Sequence, residues 1–327
     1  MLIGHQKQWE FLKKSVELGK IPHGILFSGS SEIGKRTLAI EFIKLLNCSA
    51  ENLPAQKTEK PCQICRSCKD IQKNSYPDLV LVEPVFPKKE IEISQIRKLI
   101  WKLSLRSYDS VFKAAIIDKA HLMNQEAQSC FLKLLEEPRG KTILILITEY
   151  PETLLPTIIS RVQKLRFFSV PEPEIEKYLL SQNIAKEKAH KLALFSFGKP
   201  GRTIEFINKS QKLEEQKKII SDLIKLGGSE LNFRFQYAKD FFSKEAEESN
   251  ILGDILETWL SYFRNIFIDK IKNEGKPANQ NYSLNPFGRY SLDKLSRIIN
   301  LIQSTSFLLR TTNINNKLAF EILLMEI

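Results

Sequence analysis

The sequence predicts an α/β domain built on a parallel sheet, followed by a small and a larger all-α region. Three observations carry that prediction. Short apolar runs alternate with amphipathic helix patterns through residue 168, a glycine-bounded loop with a lysine lies between one such run and a helix, and strand signals stop beyond Pro173. Apolar strands separated by helices indicate βαβ units, with a parallel sheet covered on both faces.

Element by element, Trp9 to Leu18 reads as an amphipathic helix ended near Gly19. Ile25-Leu26-Phe27 is a short buried strand, and a helix runs from Lys35 to Asn47. A Cys-rich insertion then occupies residues 48–76. Asp78 to Glu83 is a second strand and Ile93 to Leu103 a helix, then come strand Phe112 to Asp118, helix Gln125 to Leu135 and strand Thr142 to Thr148. Arg166-Phe167-Phe168 is the candidate fifth strand. Residues 169–207 read as a small set of helices with a Gly-Lys-Pro-Gly break at 198–201, and 208–327 as helical apart from a polar stretch, Asn273 to Arg289.

The chain of 327 residues is long enough for two or three domains, and its 43% apolar content suffices for proper cores. The N-terminus turns polar too soon for a signal peptide, and no apolar run approaches the ~20 residues of a membrane span. A cytoplasmic, membrane-free protein is the expectation. Of the net charge of +11, residues 1–207 carry most, with 32 Lys+Arg against 23 Asp+Glu; residues 208–327 carry 17 against 15. A basic N-terminal portion suits a polyanion, or is simply a solvated surface. Arg97 and Lys98, early on a helix of that portion, are candidates for a DNA phosphate and equally for a solvated face. Phe263, Phe267, Leu308 and Leu309 of the C-terminal helices read as core rather than partner surface.

Gly29-Ser30-Ser31-Glu32-Ile33-Gly34-Lys35 follows a strand and opens a helix, the setting in which Gly-x-x-x-x-Gly-Lys wraps a phosphate chain. Gly29 and Gly34 admit the backbone turns that aim N–H groups inward, the helix terminus adds positive potential, and Lys35 reaches toward terminal phosphates. The next residue is Arg36, where a working loop has a Ser or Thr to ligate magnesium. Thr37 is turned about 100° further around the helix and cannot simply take over. Asp118, closing the strand Ala114–Ile117, is placed to hold magnesium, but Lys119 follows it where a hydrolysing enzyme has Glu. An ammonium cannot accept a proton from water at neutral pH. ATP or ADP can still occupy such a pocket, without hydrolysis.

Five cysteines occur, and four fall into one pattern: Cys62-x2-Cys65-x2-Cys68, with Cys48 upstream at the end of the loop's helix. In a cytosolic chain this favours metal over disulfides. Four thiolates make a closed tetrahedral zinc site that pins the insertion to the helix. An iron–sulfur cluster is the alternative, although Gln72 stands where the ferredoxin-like run has its next Cys. Cys130 lies on an apolar helix face and reads as core.

His23-Gly24-Ile25-Leu26-Phe27, the four cysteines, Tyr76-Pro77-Asp78, Phe131 to Pro138, Ser160-Arg161, Gly198 to Arg202 and Asn315 to Glu321 together resemble the bacterial clamp-loader subunits of DNA polymerase III, an AAA+ family, over essentially the whole length. The defects at Arg36 and Lys119 are similar to those of the family's delta-prime members. The resemblance implies an AAA+ P-loop sheet domain (1–168) with a zinc insertion, a helical lid (169–207) and a helical collar domain (208–327). It also favours structural zinc on Cys48, Cys62, Cys65 and Cys68. It implies assembly with delta and gamma/tau subunits, a weak or indirect relation to the sliding clamp, and primed DNA inside the complex. Arg161 of Ser160-Arg161-Val162 matches the family's Ser-Arg-Cys motif except at Val162, which implies an arginine finger acting in trans. Thr148 and Arg202 match the two sensor positions. The alternatives are an ATP-hydrolysing gamma/tau-like motor and a zinc-containing nucleic-acid-binding protein outside replication.

Overall fold

Five short strands, β1 (Gly24–Ser28), β2 (Leu79–Val82), β3 (Lys113–Ile117), β4 (Thr142–Thr148) and β5 (Gln163–Arg166), pair in parallel in the order β2-β3-β4-β1-β5. The structure is a computed structural model and describes residues 2–49, 60–85, 90–107, 110–138, 140–244, 249–272, 286–311 and 314–327. The backbone divides into two compact units, Met1–Thr203 and Ile204–Ile327.

In the first unit the two-residue strand period sorts side chains between two cores. Leu26, Ala115, Ile117, Leu144 and Leu146 face one side, where α4 (Ile93–Ser104) and α5 (Gln125–Glu136) cover them with Ile96, Leu99, Ala127 and Phe131. Ile25, Phe27, Ala114, Ile116, Ile143 and Ile145 face the other, against α1 (Gln6–Glu17) and α2 (Lys35–Asn47) through Leu12, Leu38, Phe42 and Ile43. β1 and β4 are buried at every position, which is why they read as continuous apolar runs.

Two expectations need correction. The fifth strand is Gln163–Arg166, not Arg166–Phe168, in register from Ile25↔Gln163 to Ser28↔Arg166. It is an edge strand with only Leu165 turned inward, so it carries almost no apolar signal. Phe167 lies past it, its N–H donating to Ser28 O and its ring packed on Phe27 at 5.0 Å, while Phe168 is exposed. The break at 198–201 is shorter than expected, because after α7 (Glu172–Ser181) and α8 (Lys186–Ser196), α9 (Pro200–Asn208) already starts at the proline. Proline at the first helical position loses no hydrogen bond and has φ preset.

The cysteine insertion contains a helix the sequence pattern did not show, α3 (Arg66–Gln72). Part of the insertion, residues 50–59, lies outside the described residues. α6 (Pro156–Ile159) is a single turn leading to Ser160-Arg161.

The second unit comprises α10 (Ser210–Gly227), α11 (Leu231–Lys244), α12 (Ser249–Lys272), α13 (Leu292–Thr311) and α14 (Asn316–Glu326). Its core stacks Trp259 on Phe320 at 5.4 Å and sets Phe263 edge-on to Phe287 at 5.0 Å. A Cβ on Gly227 would meet the Phe287 ring at 2.2 Å, so glycine is required there by close approach. Phe263 is core and Phe267 and Leu309 pack against that core half-buried, but Leu308, expected as core, is instead turned to solvent. Of the expected polar interruption, 273–285 lies outside the described residues and Pro286–Arg289 forms a 3-10 turn. Among the described residues, no helix is long and apolar enough to cross a membrane.

Candidate nucleotide and metal sites

The phosphate loop leaves the carboxyl end of β1, where ligands gather in parallel α/β sheets. Gly29 has φ 151°, and a Cβ there would lie 2.5 Å from Phe167 O. Glu32 (φ 58°) and Gly34 (φ 101°) also take left-handed backbone, which turns the chain sharply ahead of α2. Lys35 is 6% exposed, and its Nζ donates to Gly29 O at 2.5 Å and to Ser30 O. The Lys35 ammonium is thus folded back onto the loop's own carbonyls. Thr37 is exposed, consistent with its position around the helix.

Arg36 has a specific occupation. Its Nη1 pairs with Glu83 Oε1, just past β2, and lies 3.4 Å from Asp118 Oδ2, just past β3. Asp118 also accepts from the Lys119 N–H at 2.9 Å, with Lys119 in left-handed backbone. A guanidinium thus sits where the loop helix meets the carboxylate that a magnesium ion needs. The residues present do not fit magnesium, since a divalent cation beside Asp118 would meet the positive charge of Arg36.

Three further groups border the loop. Thr148 is paired in register with Ser28, is 1% exposed, and its Oγ1 accepts from the Tyr150 N–H (3.0 Å) and lies 3.3 Å from His121 Nδ1. Arg202, on α9, donates from Nε to Glu32 Oε2 at 3.0 Å, and the Gly201 N–H donates to Glu32 O at 2.8 Å. The start of α9 therefore rests on the loop itself. His5 hydrogen-bonds from Nε2 to Ile33 O at 2.7 Å and packs on Phe167; burial lowers its pKa below 6.5, only partly opposed by the Ile33 bond. His5, Glu32 and Glu83 were not singled out from sequence, since a lone His or Glu in a loop carries no spacing signal.

Arg161 lies apart from these groups. Its Nη2 pairs with Glu136 Oε1 at 2.9 Å and its Nη1 donates to Thr157 O at 3.0 Å, with the side chain 39% exposed. Arg97 and Lys98 are exposed on α4.

The four sulfurs of Cys48, Cys62, Cys65 and Cys68 lie within 4.8 Å of one another. A tetrahedral zinc with Zn–S of about 2.3 Å holds its sulfurs roughly 3.8 Å apart, so the donor set and spacing fit a metal such as zinc. Cys48 caps the C-terminus of α2, and the Cys62 N–H points at its sulfur at 3.4 Å. Cys65 caps α3 and accepts from the Cys68 N–H. Burial works to raise the Cys65 pKa, but hydrogen bonds from Cys68 and Ser49 outweigh it and bring it to about 6, while burial drives Cys68 up. Cys130 packs half-buried against the first core, as expected.

A family model described as "DNA polymerase III, delta subunit" matches residues 4–171. The DNA polymerase III subunit delta' of Bacillus subtilis (strain 168) is 31% identical over 271 residues, covering 82% of this chain and 78% of that protein. The delta' subunit of Pseudomonas aeruginosa is 35% identical over 139 residues, 42% of this chain and 41% of that one. The tau subunit of Escherichia coli (strain K12) is 28% identical over 190 residues, covering 57% of this chain but 28% of tau. On the sheet, the phosphate loop, the cysteine cluster and these matches, the chain belongs to the delta-prime family of DNA polymerase III clamp-loader subunits.

Proposed function

We propose that this clamp-loader subunit does not hydrolyse ATP itself and serves as the stator of the complex. In that role it assembles with delta and gamma/tau subunits and lends Arg161 to a neighbour's ATP. The observation that carries this reading is the Arg36 guanidinium held between Glu83 and Asp118. Lys119 adds a second defect, because the residue after Asp118 offers a proton donor where an acceptor is needed. Gly29, Gly34 and Lys35 are the residues that would hold ATP or ADP, with Thr37, Asp118, Thr148 and Arg202 as remnants of a catalytic site.

The finger role of Arg161 is supported by its half-exposed side chain just past the single turn α6. A guanidinium against a γ-phosphate stabilises developing charge and is worth roughly 10³–10⁵ in rate in related systems. Residues 1–168, 169–207 and 208–327 serve as sheet domain, lid and collar, and the cysteines hold structural zinc. The complex works in the cytoplasm on primed DNA, with the sliding clamp touched weakly or indirectly by this subunit.

The test is reconstitution with delta and motor subunits of the same species, measuring DNA-stimulated ATPase and clamp loading. Arg161→Ala should assemble normally and lower both; unchanged rates would remove the finger role. The competing reading is a gamma/tau-like motor, favoured by the intact Gly-x4-Gly-Lys loop and the 28% match to tau. It requires magnesium-dependent turnover by the isolated chain, abolished by Lys35→Ala.

A further inference from the structure

Lys44 is 1% exposed, an unusual place for an ammonium, and it faces the cysteine insertion rather than the phosphate loop. Its Nζ donates to Glu41 Oε1 at 2.7 Å, to Gln63 Oε1 at 2.8 Å and to Gln72 Oε1 at 2.5 Å. Gln63 closes the ring by donating from Nε2 to Glu41 Oε2 at 2.6 Å. All three ammonium protons are used, under a cleft of about 590 Å³ edged by Lys69 and Lys73.

The origin of these four groups matters. Glu41 and Lys44 come from α2, about two turns and one turn before Cys48. Gln63 lies between Cys62 and Cys65 in left-handed backbone, and Gln72 ends α3, four residues after Cys68. The helix therefore supplies one thiol plus the charge pair, and the insertion supplies three thiols plus the two amides. Metal and charge cluster close the same stretch of chain at two neighbouring points. When one closure is made, the other no longer carries the loop-ordering entropy alone. A buried ammonium is stable only while its partners remain.

We propose that Lys44, with Glu41, Gln63 and Gln72, is a positioning cluster that holds the cysteine insertion in its metal-binding geometry and retains the metal. This rests on the metal reading of the four cysteines. The coupling is reciprocal: losing the cluster loosens the metal, and losing the metal releases Lys44 to solvent.

The experiment uses the full chain loaded with one equivalent of zinc and follows transfer of zinc to a chromophoric chelator. Lys44→Met leaves Glu41 buried without its cation and should weaken zinc retention roughly tenfold to a hundredfold, the range for groups that orient metal ligands. Glu41→Leu/Lys44→Met, which removes both charges, should retain zinc better than Lys44→Met alone. Gln72→Leu, at an exposed position where misfolding is not a concern, should show a smaller loss in the same direction. Acylation of Lys44, read by peptide mass spectrometry, should be slow in the zinc-loaded chain and fast after chelation. Wild-type release rates in folded Lys44→Met and Gln72→Leu, or equal protection of Lys44 with and without zinc, would overturn the cluster's role and leave the metal site standing. A wild-type chain that takes up no zinc would remove the metal reading, and this inference with it.

Discussion

Arg202 Nε donates to Glu32 Oε2 at 3.0 Å, joining residues 170 positions apart and tying the start of α9 to the middle of the phosphate loop. The Arg202 side chain is 9% exposed and that of Glu32 33%, so water screens the pair only in part. With Gly201 hydrogen-bonded to Glu32 O as well, the loop is braced from its own chain and not solely by a bound phosphate.

Arg202→Met keeps the packing length of the side chain and removes the charged hydrogen bond. A loss of roughly 1.5–3 kcal/mol is expected, read as a lower urea midpoint with an unchanged slope. A wild-type midpoint would show the brace to be dispensable.

Restoring the two missing groups should act in sequence. Arg36→Ser vacates the guanidinium from Asp118 and supplies a hydroxyl, so magnesium should begin to strengthen nucleotide binding, seen by calorimetry with and without EDTA. Turnover should need Lys119→Glu as well. Hydrolysis by the unaltered chain at a motor's rate would contradict the stator reading.

His5 gives a pH dependence with a definite sign. Its folded pKa lies below the ordinary 6.5 because burial disfavours the imidazolium. Below 6.5 the unfolded chain binds the proton first, so stability falls as pH drops from 6.5 toward the folded value. His5→Gln, which keeps a donor for Ile33 O but cannot titrate, should flatten that part of a urea-midpoint profile between about pH 5 and 7. An equally steep profile in the variant would assign the slope to other groups.

In the helical unit two faces of α14 should behave oppositely. Phe320 is 1% exposed and stacked on Trp259, so Phe320→Ala should cost about 3–5 kcal/mol. Leu318, Ile322 and Met325 repeat at helical spacing and are 56%, 47% and 58% exposed. Ile322→Lys should leave thermal stability near wild type while weakening assembly with delta and motor subunits, measured by gel filtration. Equal assembly would place the collar contact on another face.

The strands β1 and β4, the loop Gly29–Lys35, the basic residues Arg36 and Lys119, and the four thiols were all visible in the residues alone. Each depends on local spacing: buried strands make unbroken apolar runs, a phosphate loop has fixed glycine offsets, and metal ligands recur at short intervals. The true position of the edge strand β5, expected three residues further on, and the helix α3 were not visible, since one inward residue or a cysteine cap leaves no period to read. Tertiary structure alone decided where each charge is spent. Arg36 reaches Glu83 and Asp118, Arg202 reaches Glu32, and Lys44 reaches Gln63 and Gln72. Those pairings join residues far apart in the chain, and a charged side chain is neutralised or hydrogen-bonded by whatever the fold brings within a few ångströms (for Lys44 the ion pair itself, with Glu41, is local), which sequence spacing does not encode.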